Sequence, residues 1–467
     1  MRRIGLALIA MGLALGGAAP APQGDENAWL EVLGPDGQRV GIQRESVTVH
    51  ANGSSKATMR DMAYQVDGHG RIWLHSDMLR EYDGAGQLKG FGFSQRVGKH
   101  VIEVFGIVGN GTIKLIRQAD GKSVTVEQSW PKGADLADPL AIAQQAGPRL
   151  ELVAGSLKIE PRELRLVPQS DGRVLRLTYA GTRLDNADLA RAGGTGRIDE
   201  VELPQIGHSL MIRRANGPLP PAKSAITPRL QHEGWPSLFY LPTGALKGHI
   251  RYNFAFRQGF SADLPQTGEQ RVMADAEGPV LDICPQCGPG LSSDPAQLAE
   301  WTRPTPWIES GRAEFAAAVR PVLRAKASPH ATMDALAKLA RERLTHTDFT
   351  GYFSAGQAWR LRSGDCTEDA LVLAALARAA GIPARVASGL VYTRSRYHGV
   401  EDAFLPHAWV LAYVEGRWRS YDISLDGYDA SHIALALSDG EPAAYREAGR
   451  LAALIELKSM REVRKRN

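Results

Sequence analysis

From about residue 25 onward, apolar and polar residues alternate in short runs, such as 101–108, 112–116 and 174–179. Tight-turn dipeptides separate such runs: Asp36-Gly37, Asn52-Gly53, Asp67-Gly68, Asp83-Gly84, Asn110-Gly111, Asp120-Gly121 and Asp171-Gly172. Short strands joined by turns of this kind predict antiparallel sheet. The pattern divides into a β-rich domain over 25–147 and a second β-rich block over 148–290, as one domain or two. A loop is expected at Gly217 to Pro221. Residues 286–308 are rich in Pro, Gly, Ser and Asp, and read as a linker.

The period then changes. Residues 313–323 and 332–344 carry apolar side chains at three- and four-residue spacing, which predicts two amphipathic helices. A loop follows over 345–363, then a strongly helical stretch from Cys366 to Ala380, stopped by Gly381 and Pro383. Strands are expected over 385–392, 407–414 and 417–424. Helices followed by an antiparallel sheet make an α+β domain over 305–437. The remainder, 438–467, reads as a C-terminal tail.

Composition narrows the class. A chain of 467 residues is long enough for two or three domains. Its hydrophobic fraction of 43% and charged fraction of 23% are those of a soluble globular protein. Net charge is only +4 and no basic stripe with interleaved aromatics appears, so nucleic acid is not an expected partner. Arg2 and Arg3, the apolar run 4–15 and the small residues 16–19 read as a signal peptide over 1–19. An uncleaved anchor is the alternative. No other apolar run reaches spanning length, so no transmembrane span is expected in the mature chain.

An exported protein makes its cysteine count informative. There are three cysteines. Cys284 and Cys287 stand close enough to pair in a structural disulfide, which leaves Cys366 as an odd cysteine, either an intermolecular link or a free, reactive thiol. The histidines show no zinc-enzyme spacing, and neither a metal nor a cofactor is expected.

The sequence Ser363-Gly-Asp-Cys-Thr-Glu368 places Cys366 at a helix start. Asp365 can cap that helix, with Glu368 completing a capping box. Helix N-termini lower thiol pKa values, but Asp365, Glu368 and Asp369 push the other way, so Cys366 needs a base. His407 begins an alternating strand that ends at a two-residue turn, Glu415-Gly416. In that register Val414 faces Arg417, His407 faces position 424, and Asp422 is a diagonal neighbour of His407, about 7 Å away. A carboxylate there can fix the imidazole tautomer.

Together, Gly364-Asp-Cys366, Gly381-Ile-Pro-Ala-Arg385, His407-Ala-Trp409 and Trp418-Arg-Ser-Tyr-Asp422 resemble the transglutaminase-like superfamily of papain-type thiol enzymes, over about 305–437. The resemblance implies a catalytic triad of Cys366, His407 and Asp422. The expected reaction is cleavage of a peptide or amide bond through a Cys-linked thioester. An amine in place of water would make a cross-linking acyltransferase, and a non-catalytic cell-envelope binding protein is the other alternative. The backbone N–H of Cys366 is the expected oxyanion donor, with Gln357 a side-chain candidate. A peptide or protein substrate, a cell-envelope partner for the β-rich region, and a periplasmic or secreted location complete the expectation.

Overall fold

The computed structural model describes residues 25–34, 37, 39–49, 55–67, 71–97, 100–119, 122–136, 149–153, 157–193, 198–205, 208–219, 235–275, 277–346, 353–394, 402–425 and 427–464. The leader-like segment 1–19 lies outside them, as do the Asn52-Gly53 and Asp120-Gly121 turns.

The strands up to residue 215 join in one fifteen-stranded sheet. Its first strand, Asp25–Leu33, pairs with Arg39–Val49 on one side and with the last, His208–Ala215, on the other. From that seam the path runs outward in both directions, to Lys122–Ser129 and to Asp135–Leu136. The two far ends meet. Gln128 donates to the carbonyl of Leu157 at 2.8 Å and accepts from Ile159 N–H at 3.1 Å. Trp130, Leu136, Leu150 and Leu157 share a core with Leu88, Phe91 and Val104. The described strands before and after the expected boundary at 147/148 therefore belong to one sheet. Turn dipeptides mark hairpins, but they do not report which hairpins remain in one sheet.

Residues 235–290 join the C-terminal body instead of the preceding block. Strands β1 (Ile250–Phe256), β2 (Gln270–Ala274) and β3 (Pro279–Ile283) form a small sheet there. The segment read as a tail completes the body. After helix α5 (Pro442–Leu454), strand β8 (Ile455–Glu462) pairs antiparallel with β1.

The centre of this body is helix α4 (Cys366–Ala379). Eight consecutive side chains, Ala370 to Ala377, are at most 2% exposed, so the helix is apolar all round and lies inside the protein. Helices α1 (Ala313–Arg324), α2 (Pro329–Arg343) and α3 (Ala355–Leu361) share its core on one side. On the other lie strands β4 (Ala384–Thr393) and β5 (Ala403–Val414), through Ala384, Val386, Ala408, Val410 and Ala412. Strand β6 (Arg417–Tyr421) flanks the end of β5, and β7 (His432–Ser438) flanks β4.

The β-rich sheet is fastened to this body. Leu175, Leu177, Leu184 and Leu189 share a core with Tyr252, Phe254 and Leu451, and Leu184 N–H donates to Glu447 of α5. The whole is mixed α+β. Among the described residues, no helix is long and apolar enough to cross a membrane.

Candidate active site

The thiol is positioned by a helix cap. Asp365 accepts from Thr367 N–H at 2.9 Å and from Glu368 N–H, while the Glu368 carboxylate accepts from Asp365 N–H at 3.0 Å. This capping box makes Cys366 the first helical residue. The other oxygen of Glu368 accepts from Phe353 N–H, which ties the preceding segment to the helix head. Burial, and then Asp365, push the Glu368 carboxyl up to about 8.

Cys366 is free and half-buried. Burial raises its thiol pKa well above the ordinary value, and Asp365, Asp422 and Asp369 add to the rise; the backbone N–H of Ala408 opposes it. That N–H has a geometric explanation. In the β5–β6 ladder, Val414 faces Arg417 and Val410 faces Tyr421. Strict antiparallel alternation points the Ala408 N–H to the same edge as Val410, where β6 has already ended. The open edge of β5 thus offers a donor to the sulfur. The balance still favours the protonated thiol, so Cys366 needs a proton acceptor.

The hairpin supplies one. Glu415 and Gly416 both have positive φ, 51° and 77°, which makes the two-residue turn. His407 lies further along β5, and the ladder ends at Tyr421, one residue before Asp422. His407 Nε2 is 3.0 Å from Asp422 Oδ2, and both residues are buried. Burial would raise the Asp422 carboxyl, but His407 and then His432 outweigh it and hold it far below the usual carboxylate range. An ionised carboxylate only accepts, so Nε2 is the protonated nitrogen of neutral His407. Nδ1 is then the basic nitrogen.

Asp422 is held from several sides. Its Oδ1 accepts from Ser424 N–H at 2.9 Å, and Ser424 Oγ donates to Asp369 of α4. Arg341 of α2 donates to the carbonyls of Asp422 and Ile423, each at 3.2 Å. On the remaining side, His432 Nε2 approaches the same Asp422 Oδ2 at 3.1 Å. Strands β6 and β7 lie on opposite sides of the β5–β4 pair, so the chain crosses the sheet between them and brings both residues to His407. The approach of β7 depends on Gly389 of β4. A Cβ there would stand 1.9 Å from the carbonyl oxygen of Ile433.

The structure thus brings His407 and Asp422 together, with Cys366 at the adjacent Ala408 N–H. The side chain of Gln357 serves its own helix: it accepts from Ser354 N–H and closes the capping box of α3. Cys284 and Cys287 form a disulfide. Among the described residues, two groups of donors lie within metal-ligand spacing. In the first, His249 stands by Cys284 and Cys287, whose sulfurs are bonded to each other. In the second, His407, Asp422 and His432 already satisfy one another, and we assign no metal to them. Sequence reasoning missed His432, Asp429, Arg341 and Gly389. In the sequence His432 is a lone histidine at a strand start, which is no signal by itself.

Residues 316–423 match the family model of the transglutaminase-like superfamily. The C-terminal domain is transglutaminase-like, and all three expected triad residues fall within the matched span. Among solved structures, the chain is similar to a candidate cysteine protease from Cytophaga hutchinsonii, at 15% identity over 46% of this chain and 87% of that one, with a TM-score of 0.29. It is also similar to a β-barrel-like domain of unknown function from Brucella abortus, at 11% identity over 42% of this chain and 98% of that one, TM-score 0.29. A candidate protease from Parabacteroides distasonis is similar at 11% identity over 72% of this chain and 68% of that one, TM-score 0.20. No curated protein matches the chain.

Proposed function

We propose that this protein is an exported thiol hydrolase that cleaves a peptide or amide bond, with Cys366 as nucleophile, His407 as base and Asp422 as its orienting acid. The observation that carries the reading is the buried 3.0 Å contact of His407 Nε2 with Asp422, beside a free cysteine at a helix start. His407 Nδ1 takes the thiol proton, and the sulfur attacks the carbonyl carbon. The N–H of Cys366 lies at the first helical position, where it lacks an intrahelical acceptor, and can hold the oxyanion. The imidazolium then gives its proton to the leaving amine as the C–N bond breaks, leaving a thioester. Water, deprotonated by His407, cleaves the thioester and restores the thiol.

Export is part of the proposal. It is supported by the leader-like N-terminus, and by a cysteine usage that pairs Cys284 with Cys287 and leaves only Cys366 free. The test is mass spectrometry of candidate peptides incubated with wild type and Cys366→Ala, with and without a primary amine. Cys366-dependent hydrolysed product is expected. Amine incorporation would make the protein an acyltransferase instead, and identical results with Cys366→Ala would sink a thiol enzyme of either kind.

A further inference from the structure

Asp422 has two histidines on one oxygen, and a thiol site of this kind needs only one. His407 Nε2 stands 3.0 Å and His432 Nε2 3.1 Å from Oδ2. All three side chains are at most 3% exposed, so this arrangement is built into the interior. The far side of His432 also meets acceptors. Its Nδ1 lies 3.1 Å from the Asp429 carbonyl oxygen, 3.3 Å from Ser431 Oγ and 3.5 Å from the Asp429 carboxylate; among the described residues the one donor beside it is the Asp429 N–H, at 3.4 Å. Ser431 itself hydrogen-bonds Asp429. Carboxylates at both nitrogens favour the doubly protonated form of a histidine.

Every element around it contributes. Asp429, Tyr428 and Ser431 face it from its own segment, His407 and Trp409 from β5, and Asp422 from the end of β6. The Tyr428 phenol is pushed well up by burial and stays neutral. The segment itself is pinned from β1, where the Tyr252 hydroxyl donates to the Ala430 carbonyl at 2.7 Å.

Resting on the thiol-hydrolase reading, we infer that His432 is a positioning residue: a buried imidazolium that grips the same Asp422 oxygen as His407 and limits how tightly Asp422 holds a proton on His407. The first effect fixes the carboxylate that aims His407. The second matters because His407 must release its proton to the leaving amine. A lone buried carboxylate beside His407 would make it a strong base and a reluctant acid; a cation sharing the same oxygen moderates this. Burial alone would push His432 down, but its contacts with Asp422 and Asp429 outweigh burial and lift it to about 9, in keeping with a charge at neutral pH.

Two measurements on the full chain test this. Nitrogen-15 NMR of histidine-labelled protein should find both nitrogens of His432 protonated at pH 7, with the charge lost only near pH 9. A neutral His432 at pH 7 would overturn the inference, and no variant is needed to see it. The second is the pH profile of Cys366 alkylation by iodoacetamide in wild type and His432→Gln. The glutamine amide can still donate to Asp422 but carries no charge. Cys366 should stay reactive, while the upper limb of the profile moves to higher pH, because no cation then shares the Asp422 oxygen. An unmoved upper limb in a folded His432→Gln protein would show a merely structural residue. A wild-type Cys366 unreactive at mildly acidic pH would overturn the parent reading instead, whatever charge NMR finds on His432.

Discussion

The two sides of His407 are built in different ways. On the thiol side, one short stretch does nearly everything: Asp365 caps, Glu368 closes the box, and Cys366 begins the helix. On the carboxylate side, Asp422 is placed by a helix, a crossing segment and a strand distant in sequence, through Arg341, Ser424 and His432. The comparison teaches that a nucleophile can be set by local chemistry, whereas the group that orients its base depends on tertiary structure. Damage to the two sides should therefore differ in kind.

The largest effect is expected on the carboxylate side. Asp422→Asn keeps the shape but removes the acceptor that fixes the His407 tautomer. Alkylation of Cys366 at pH 6 should fall by roughly 10²- to 10⁴-fold, with the fold retained by circular dichroism. A normal rate in that variant would remove Asp422 from the site. Next comes Gly389→Ala. Its methyl group would collide with the Ile433 backbone, where no flexible side chain can yield. We expect a loss of about 3 kcal/mol in urea unfolding, together with lost thiol reactivity, because Gly389 pairs directly with His407 in the β4–β5 ladder. A stable, reactive Gly389→Ala protein would show that the β4–β7 approach is not needed.

The pH dependence of stability separates the sides further. His432 is lifted from 6.5 in the unfolded chain to about 9 in the folded one. Its stabilisation is thus complete below pH 6.5 and lost as pH rises through about 9. Over that window wild type should lose stability relative to His432→Gln with a slope of at most about 1.4 kcal/mol per pH unit. Parallel unfolding curves for the two proteins would contradict the charge assigned to His432. The smallest effect is on the thiol side. Asp365→Ala removes a helix cap and should cost about 1 kcal/mol. It should also make Cys366 more acidic, because Asp365 is the largest of the nearby charges that oppose its thiolate. Slower alkylation at pH 6 in this variant would reverse that electrostatic assignment.

What could be read from the sequence follows the same division. The capping box, the end of α4 near Gly381 and the Glu415-Gly416 turn depend on contacts a few residues apart, and the structure has all three. The paired register of that hairpin stops at Tyr421, one residue short of Asp422, so the expected pairing of His407 with position 424 is not formed. His432 lies ten residues beyond Asp422, on a strand whose neighbour, β4, comes earlier in the chain, so no local pattern pairs the two. Strand β8 is a different case. Its buried positions include Ile455, Leu457 and Met460, an apolar spacing visible in the sequence but overshadowed by the basic residues at 461–466. The single sheet across residue 148 stays hidden in the sequence because closure joins distant strands: Asp25–Leu33 meets His208–Ala215 only in three dimensions.

The role of His407 is tested by the rate of Cys366 alkylation by iodoacetamide at pH 6 in wild type and His407→Gln, read by mass spectrometry. The surroundings of Cys366 favour a protonated thiol, so reactivity at that pH requires His407 to hold the proton. We predict rapid labelling of wild type and a loss of about 10²-fold or more in the variant. Equal rates in the two proteins, or an unreactive wild-type Cys366, would contradict a thiol site built on His407.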